Sequence, residues 1–401
     1  MEVELRRSPC FHLQVISLVT YENYSPFVDL SHRANLCMES HEGKSMFQLL
    51  MTLLLAQAQL SPKNLYIQGY AQNAFAQYSK ALEEAQTLNQ FVKDFVTNPT
   101  QDRLEATKAQ WIVARKIYSQ TETYRFFDSP IDDADGPEGL INAWPIDEAY
   151  IDSVKGKSNS GIVNDRQGYP LIDKDTLMSL NEKDGEKNIS TGWHAIEFLL
   201  WGQDFSTNGP GTRSYEDYVD GKMPNADRRR LYLSVITELL AEHLQAVTVQ
   251  WNPSSGNNYY ASFINAPDSL AKVVESIRFF AGEELSIERM FVAYDMQDQE
   301  DEHSCFSDTT HLDLYYNYLG IKNTLLQKYN GISLVSLIAD KDPVLASHIE
   351  AQAMAIETAL FLFPAPFDQA IFIESSRETI KRIIDSLQAL ADSVEQAKTS
   401  L

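Results

Sequence analysis

Cysteine is scarce in this 401-residue chain, with Cys10, Cys37 and Cys305 as its whole complement. An odd, widely spaced set does not build a disulfide framework, and it lacks the paired cysteines of a structural zinc site. Basic residues are short too, at 33 Lys and Arg against 56 Asp and Glu, for a formal charge of −23. A field of that sign repels phosphate backbones and anionic membranes, so nucleic acid is not an expected partner. It suits a cationic ligand or a metal ion. Glycine (17) and proline (15) are too few for a collagen-like or linker-dominated chain. No apolar run reaches the roughly 18–20 residues that span a bilayer, so no transmembrane helix is expected in the mature chain. H-E-x-x-H, G-x-S-x-G, the P-loop and G-x-G-x-x-G are all missing. Ser269-Leu270-Ala271-Lys272 fits S-x-x-K, but its partner motifs are absent.

What remains is a globular composition, 44% hydrophobic and 22% charged. Residues 1–58 stand apart as an N-terminal extension with a secretory signal. Lys44 precedes an apolar stretch at 46–56, and Ala56-Gln57-Ala58 supplies an A-x-A cleavage pattern. An apolar core helix is the competing reading of that stretch. The signal reading puts cleavage after Ala58 and takes Met38 as the natural start. Residues 1–58 carry six acids and four bases, so the acidic excess belongs to the rest of the chain.

From there the pattern is helical. Ile67, Ala71, Ala74, Tyr78, Ala81, Ala85, Leu88, Val92 and Phe95 recur at steps of four and three, which predicts one helix over 66–97, roughly 48 Å long. Asn98-Pro99 breaks it, Thr100 caps a second helix running to about Arg125, and the short break makes the pair antiparallel neighbours. Residues 128–190 read as a long loop-rich insertion with a short helix from Pro145 to about Val154. Further helices are expected at about 190–201, 228–251, 268–296, 343–361 and 375–398. The fold class is all-α, with two helical-bundle-like domains divided approximately as 59–227 and 228–401.

Three stretches could carry chemistry. In Gly192-Trp193-His194-Ala195-Ile196-Glu197-Phe198-Leu199-Leu200-Trp201, only His194 and Glu197 are polar after Trp193, so the helix should be buried. The two share a face, and a buried carboxylate needs a partner or a metal. Both could ligate one ion, or they could hydrogen-bond and hold two helices together. The second stretch runs from Glu283-Glu284 through Glu288 to Glu300-Asp301-Glu302-His303-Ser304-Cys305-Phe306-Ser307-Asp308 and His311. It lacks the glycine and acid spacing of an EF-hand, and a solvated acidic face is its bland reading. The acids around Cys305 argue against a nucleophilic thiol. The third pairs Glu122 and Arg125 with Asn142-Ala143-Trp144-Pro145-Ile146-Asp147-Glu148, where a salt bridge and a packed Trp-Pro corner would serve equally well.

Together these stretches resemble the imelysin family, in its iron-regulated protein A branch, over most of residues 66–401. The resemblance implies two bundle-like helical domains, export to the periplasm or the outer membrane surface, and an association with iron-transport proteins. It also implies a site at the domain interface, with His194 and Glu197 as metal ligands or catalytic residues. Glu284, Glu288, Asp301, His303 and Asp308 then become candidates to complete or orient the site, with Arg125 and Asp147 further out. The late acidic motif should face the His194 helix. The family was first described as peptidases, but a zinc peptidase needs three protein ligands, an open position and a base. His194 and Glu197 offer two ligands and no spare base. Imidazole, carboxylate and an acidic field suit iron at least as well as zinc. The favoured expectation is a protein that binds iron or an iron-bearing ligand. A metal-dependent endopeptidase and a surface interaction protein with a structural His–Glu pair are the alternatives.

Overall fold

The computed structural model describes residues 60–206 and 209–401; the expected signal segment lies outside the described residues. The described chain is helices, turns and loops, with two isolated bridges (Val154–Lys157 and Tyr329–Ile332) and no sheet. The all-α expectation holds. None of its helices is long and apolar enough to cross a membrane.

Helix α1, Pro62–Thr97, buries every residue of the seam predicted for it. Its alanines at 71, 74, 81 and 85 leave room for neighbours to approach closely. Helix α2, Gln101–Ser119, starts as predicted, with the Thr100 hydroxyl accepting from the Arg103 amide. It stops short of Arg125. Ser119 and Thr121 turn their hydroxyls back onto the carbonyls of Arg115 and Tyr118, and the chain tightens into a 3₁₀ turn at Glu122–Tyr124. Helix α3, Gly192–Trp201, is buried along its whole length. Helix α4, Ala226–Gln250, packs along α1, which also carries α2.

A second group of helices follows. The single helix expected at 268–296 is continuous, but its middle is widened. Helix α5, Ser269–Phe279, passes into a π-helix at Phe280–Phe291 and returns to α geometry at Val292–Met296. Helix α6, Thr310–Leu326, is a long helix that the expected set leaves out. Its buried residues form two stripes, an apolar one of Leu314, Tyr318, Ile321 and Leu325 and, beside it, a polar one of Asp313, Asn317 and Thr324. Helices α7, Pro343–Phe361, and α8, Glu374–Ala397, match expectation closely. Helix α8 packs on α5, the π-helix and α7, while α6 packs on α7 and reaches across to α2.

The 128–190 insertion holds only short helices. The one expected from Pro145 shrinks to Glu148–Ile151, capped by the Asp147 carboxylate on the Ala149 amide. Buried Asp152 fastens the insertion to α4 through Arg229 (2.6 Å) and also meets Arg213 (2.8 Å).

Candidate functional site

Helix α3 begins on Gly192, at φ +87°. A Cβ there would lie 2.5 Å from the Ile141 carbonyl oxygen, so a side chain has neither the space nor the backbone conformation. The Thr191 hydroxyl donates to the Leu140 carbonyl and fixes the same junction. This start aims His194 and Glu197 toward α2 and the 302–309 loop.

His194 Nδ1 lies 3.0 Å from Glu197 Oε2. Glu197 Oε1 accepts from the Ser307 amide (3.0 Å) and hydroxyl (2.7 Å). His194 Nε2 lies 3.4 Å from Arg115 Nη2. A guanidinium only donates, so Nε2 accepts and Nδ1 carries the proton it gives to Glu197. His303 repeats the pattern. Its Nδ1 meets Asp313 Oδ2 at 2.8 Å, and its ring comes within 3.4 Å of the same Arg115 nitrogen. The two imidazoles pack edge to face, with ring centres 4.8 Å apart. Asp313 also accepts from Arg115 Nε (3.2 Å) and the Ser304 hydroxyl (2.6 Å). Asn142 links Arg115 to Glu122. Glu122 pairs with Arg289 from the π-helix, and Asn317 bonds both. Every member from Arg115 to Asn317 is buried.

Burial pushes the Glu197 carboxyl up to about 8, against the pull of Ser307. It drives His303 down to about 4, with Arg289 adding to the effect, and His194 well below its usual range, with Arg115 adding. Both imidazoles are therefore neutral at pH 7. Burial opposes ionisation of Glu122, but Arg289 overrides it and holds the carboxyl at about 2. Arg115 and His303 likewise keep Asp313 well below the usual carboxylate range.

Of the residues singled out from the sequence, His194, Glu197 and His303 come together, and Glu122 and Asn142 join them through Arg115. Glu284 sits at the edge of the centre on Arg289 (2.8 Å), and Arg125 belongs to a neighbouring ion-pair cluster with Glu138, Glu284 and Asp132. Glu288 and Asp147 are exposed, and Asp301 is half-buried on the 3₁₀ turn Gln299–Asp301. Asp308 turns away from His194 and groups with Asp204 and Asp368, all three buried. Burial and these two neighbours push Asp308 up to about 7. Sequence reasoning passes over Arg115, Asp313 and Asn317. Arg115 does leave a signal, since it lies on the stripe of Trp111 and Tyr118, where a charge is out of place.

Whether this centre suits the metal implied by the motif can be tested on its donors. His194 Nδ1 and Glu197 Oε2 face each other rather than a common point, and the remaining imidazole nitrogen faces a guanidinium. An ion at that position would meet like charge. As arranged, the pair does not fit a metal.

A helical fold of this kind with a buried Gly-x-His-x-x-Glu helix has a family. The imelysin family model matches residues 74–394, and the chain belongs to that family. It is 22% identical to iron-regulated protein A of Synechococcus elongatus over 355 residues, covering 85% of this chain and 87% of the relative. Two solved structures share the fold. One is an iron-regulated protein A precursor from Parabacteroides distasonis, with TM-score 0.65, 16% identity, and coverage of 84% of this chain and 95% of that one. The other is an imelysin-like protein from Psychrobacter arcticum, with TM-score 0.61, 11% identity, and coverage of 84% and 94%.

Proposed function

We propose that this imelysin-family protein is exported, binds iron or an iron-bearing ligand, and does not hydrolyse peptides. The observation that speaks against hydrolysis is the guanidinium of Arg115 beside His194 Nε2, while binding is supported by the acidic surroundings and the relatives' names. A metallopeptidase needs imidazoles free to ligate, an open coordination position and an unengaged base. Here Glu197 is held between His194 and Ser307, which supports a positioning role. The motif then seats the buried 302–309 loop against helix α3. Iron is favoured over zinc by the acidic, oxygen-rich surroundings and by the names of the relatives. Export rests on the segment ending at Ala58, with the periplasm or outer membrane as destination and iron-transport proteins as partners.

The test is iron retention by the purified protein after exposure to ferric citrate and desalting, alongside casein digestion with and without chelator. Bound iron and no chelator-sensitive cleavage are expected. Failure to retain iron, or cleavage that disappears in Glu197→Ala, would overturn the reading. N-terminal sequencing of the secreted product should begin at Gln59.

A further inference from the structure

Three carboxylates from distant parts of the chain converge beside the 302–309 loop. Asp204 follows α3, Asp308 closes the loop, and Asp368 lies in the short Phe367–Ala370 turn. Each offers an oxygen within 4.8 Å of the others, and the residues are 5%, 8% and 3% exposed. No ion pair to a basic side chain is formed by any of them among the described residues.

Their hydrogen bonding is uneven. Asp204 is served on both oxygens, by the Ser206 amide (2.8 Å) and by Gln299 Nε2 (2.8 Å). Asp308 has no donor at either oxygen among the described residues, and Asp368 has none at Oδ1. A buried carboxylate left without donors is costly, and three side by side are costlier. Such an arrangement is relieved by a proton shared between neighbouring carboxyls, by an ordered water that donates to them, or by a cation.

We propose that Asp204, Asp308 and Asp368 form a binding site for a hard metal cation held by oxygen alone. The donor set decides the class. With no imidazole or thiolate in the group, it suits Ca²⁺, Mn²⁺ or Fe³⁺ ahead of Zn²⁺ or Cu⁺. The inference rests on the proposed function only where the cation is iron. It also gives the motif helix a role. Glu197 grips Ser307, and the next residue is Asp308, so the grip positions a ligand.

The experiment uses the full chain, stripped with chelator and titrated calorimetrically with Ca²⁺, Mn²⁺ and ferric citrate, with melting followed in parallel. Asp308→Asn and Asp368→Asn keep side-chain size and remove charge from a repelling group, so both should fold. Glu288→Gln, on the exposed surface, is the control for lost charge. The wild type should take up one equivalent of at least one cation and melt several degrees higher. Each Asn variant should weaken uptake by about tenfold or more, and the control should match the wild type. No uptake by the wild type would overturn the site and leave a shared proton or an ordered water as the answer. Uptake unchanged in both Asn variants would overturn it as well. Where iron is the one cation taken up, its retention by both Asn variants removes this site but not the iron-binding reading. Ca²⁺ or Mn²⁺ uptake that the Asn variants lose, without any iron uptake, keeps the site and removes that reading.

Discussion

Asp313 and Asp308 lie on the same short stretch and are both buried, yet their surroundings are opposite. Asp313 receives Arg115, His303 and Ser304. Asp308 faces two more carboxylates and, among the described residues, no donor. Around Asp313, charges are matched and the polar network is closed. Around Asp308 the hydrogen bonding is incomplete within the described protein. Burial alone does not separate a structural acid from a ligand-binding one; the number of donors does. By that measure the histidine centre is a brace, and the aspartate group is where something else belongs.

The sharpest way to break this contrast is to remove a partner from each side. Arg115→Met keeps the aliphatic stem but leaves Asp313 without its cation, and should cost about 3–5 kcal/mol in denaturant unfolding. Asp368→Asn, without added metal, should cost about 0.5 kcal/mol or less, or should stabilise. Equal losses would abolish the distinction. Acid titration comes next. Glu122 is held at about 2, below its unfolded value near 4.5, so its contribution is present above that value and is lost as pH falls toward 2. Glu122→Gln should flatten the acid limb of the stability profile by about 3 kcal/mol. An unchanged acid limb would mean that the brace is not charge-matched.

Glu197 should behave with the opposite sign. Its carboxyl is raised to about 8, so the folded protein holds that proton more tightly than the unfolded chain. That contribution is full below about 4.5 and is lost as pH rises through 8. The stability of Glu197→Gln relative to wild type should therefore improve steadily from pH 5 to pH 8, as read from denaturation midpoints. A flat difference would place the ionised carboxylate in the resting state. The smallest effect is expected at Glu288. It is exposed, so Glu288→Ala should shift stability by no more than about 0.5 kcal/mol.

These contrasts also explain what the sequence could disclose. Helices such as α1 and α8 were legible because each buries a clean apolar seam. Trp193–Trp201 was legible because two polar residues stood out in an apolar run. Helix α6 carries a comparable seam at Leu314, Tyr318, Ile321 and Leu325 and is missing from the expected helices all the same; what spacing does not disclose is the role of Asp313 and Asn317 beside that seam, whose partners Arg115 and Glu122 lie far off in the chain. The Asp204–Asp308–Asp368 group was hidden for the same reason. Its members come from three separate segments, and only folding brings them together. Glu288 and Asp147 were chosen for proximity to motif residues, but one faces outward and the other caps a short helix.

The π-helix at Phe280–Phe291 makes part of the brace a matter of chain length rather than side-chain identity. Arg289 reaches Glu122 from within turns that are wider than those of an α-helix. Deleting one residue between Ala281 and Glu284 would turn everything after it by one residue's step round the axis. Arg289 would swing away from Glu122 although no residue of the centre had been altered. No substitution reproduces that change. Within this helix, the phase of the chain is therefore a separate instruction from its spelling, and a chain with every site residue present but one place out of step would keep its parts and lose their assembly.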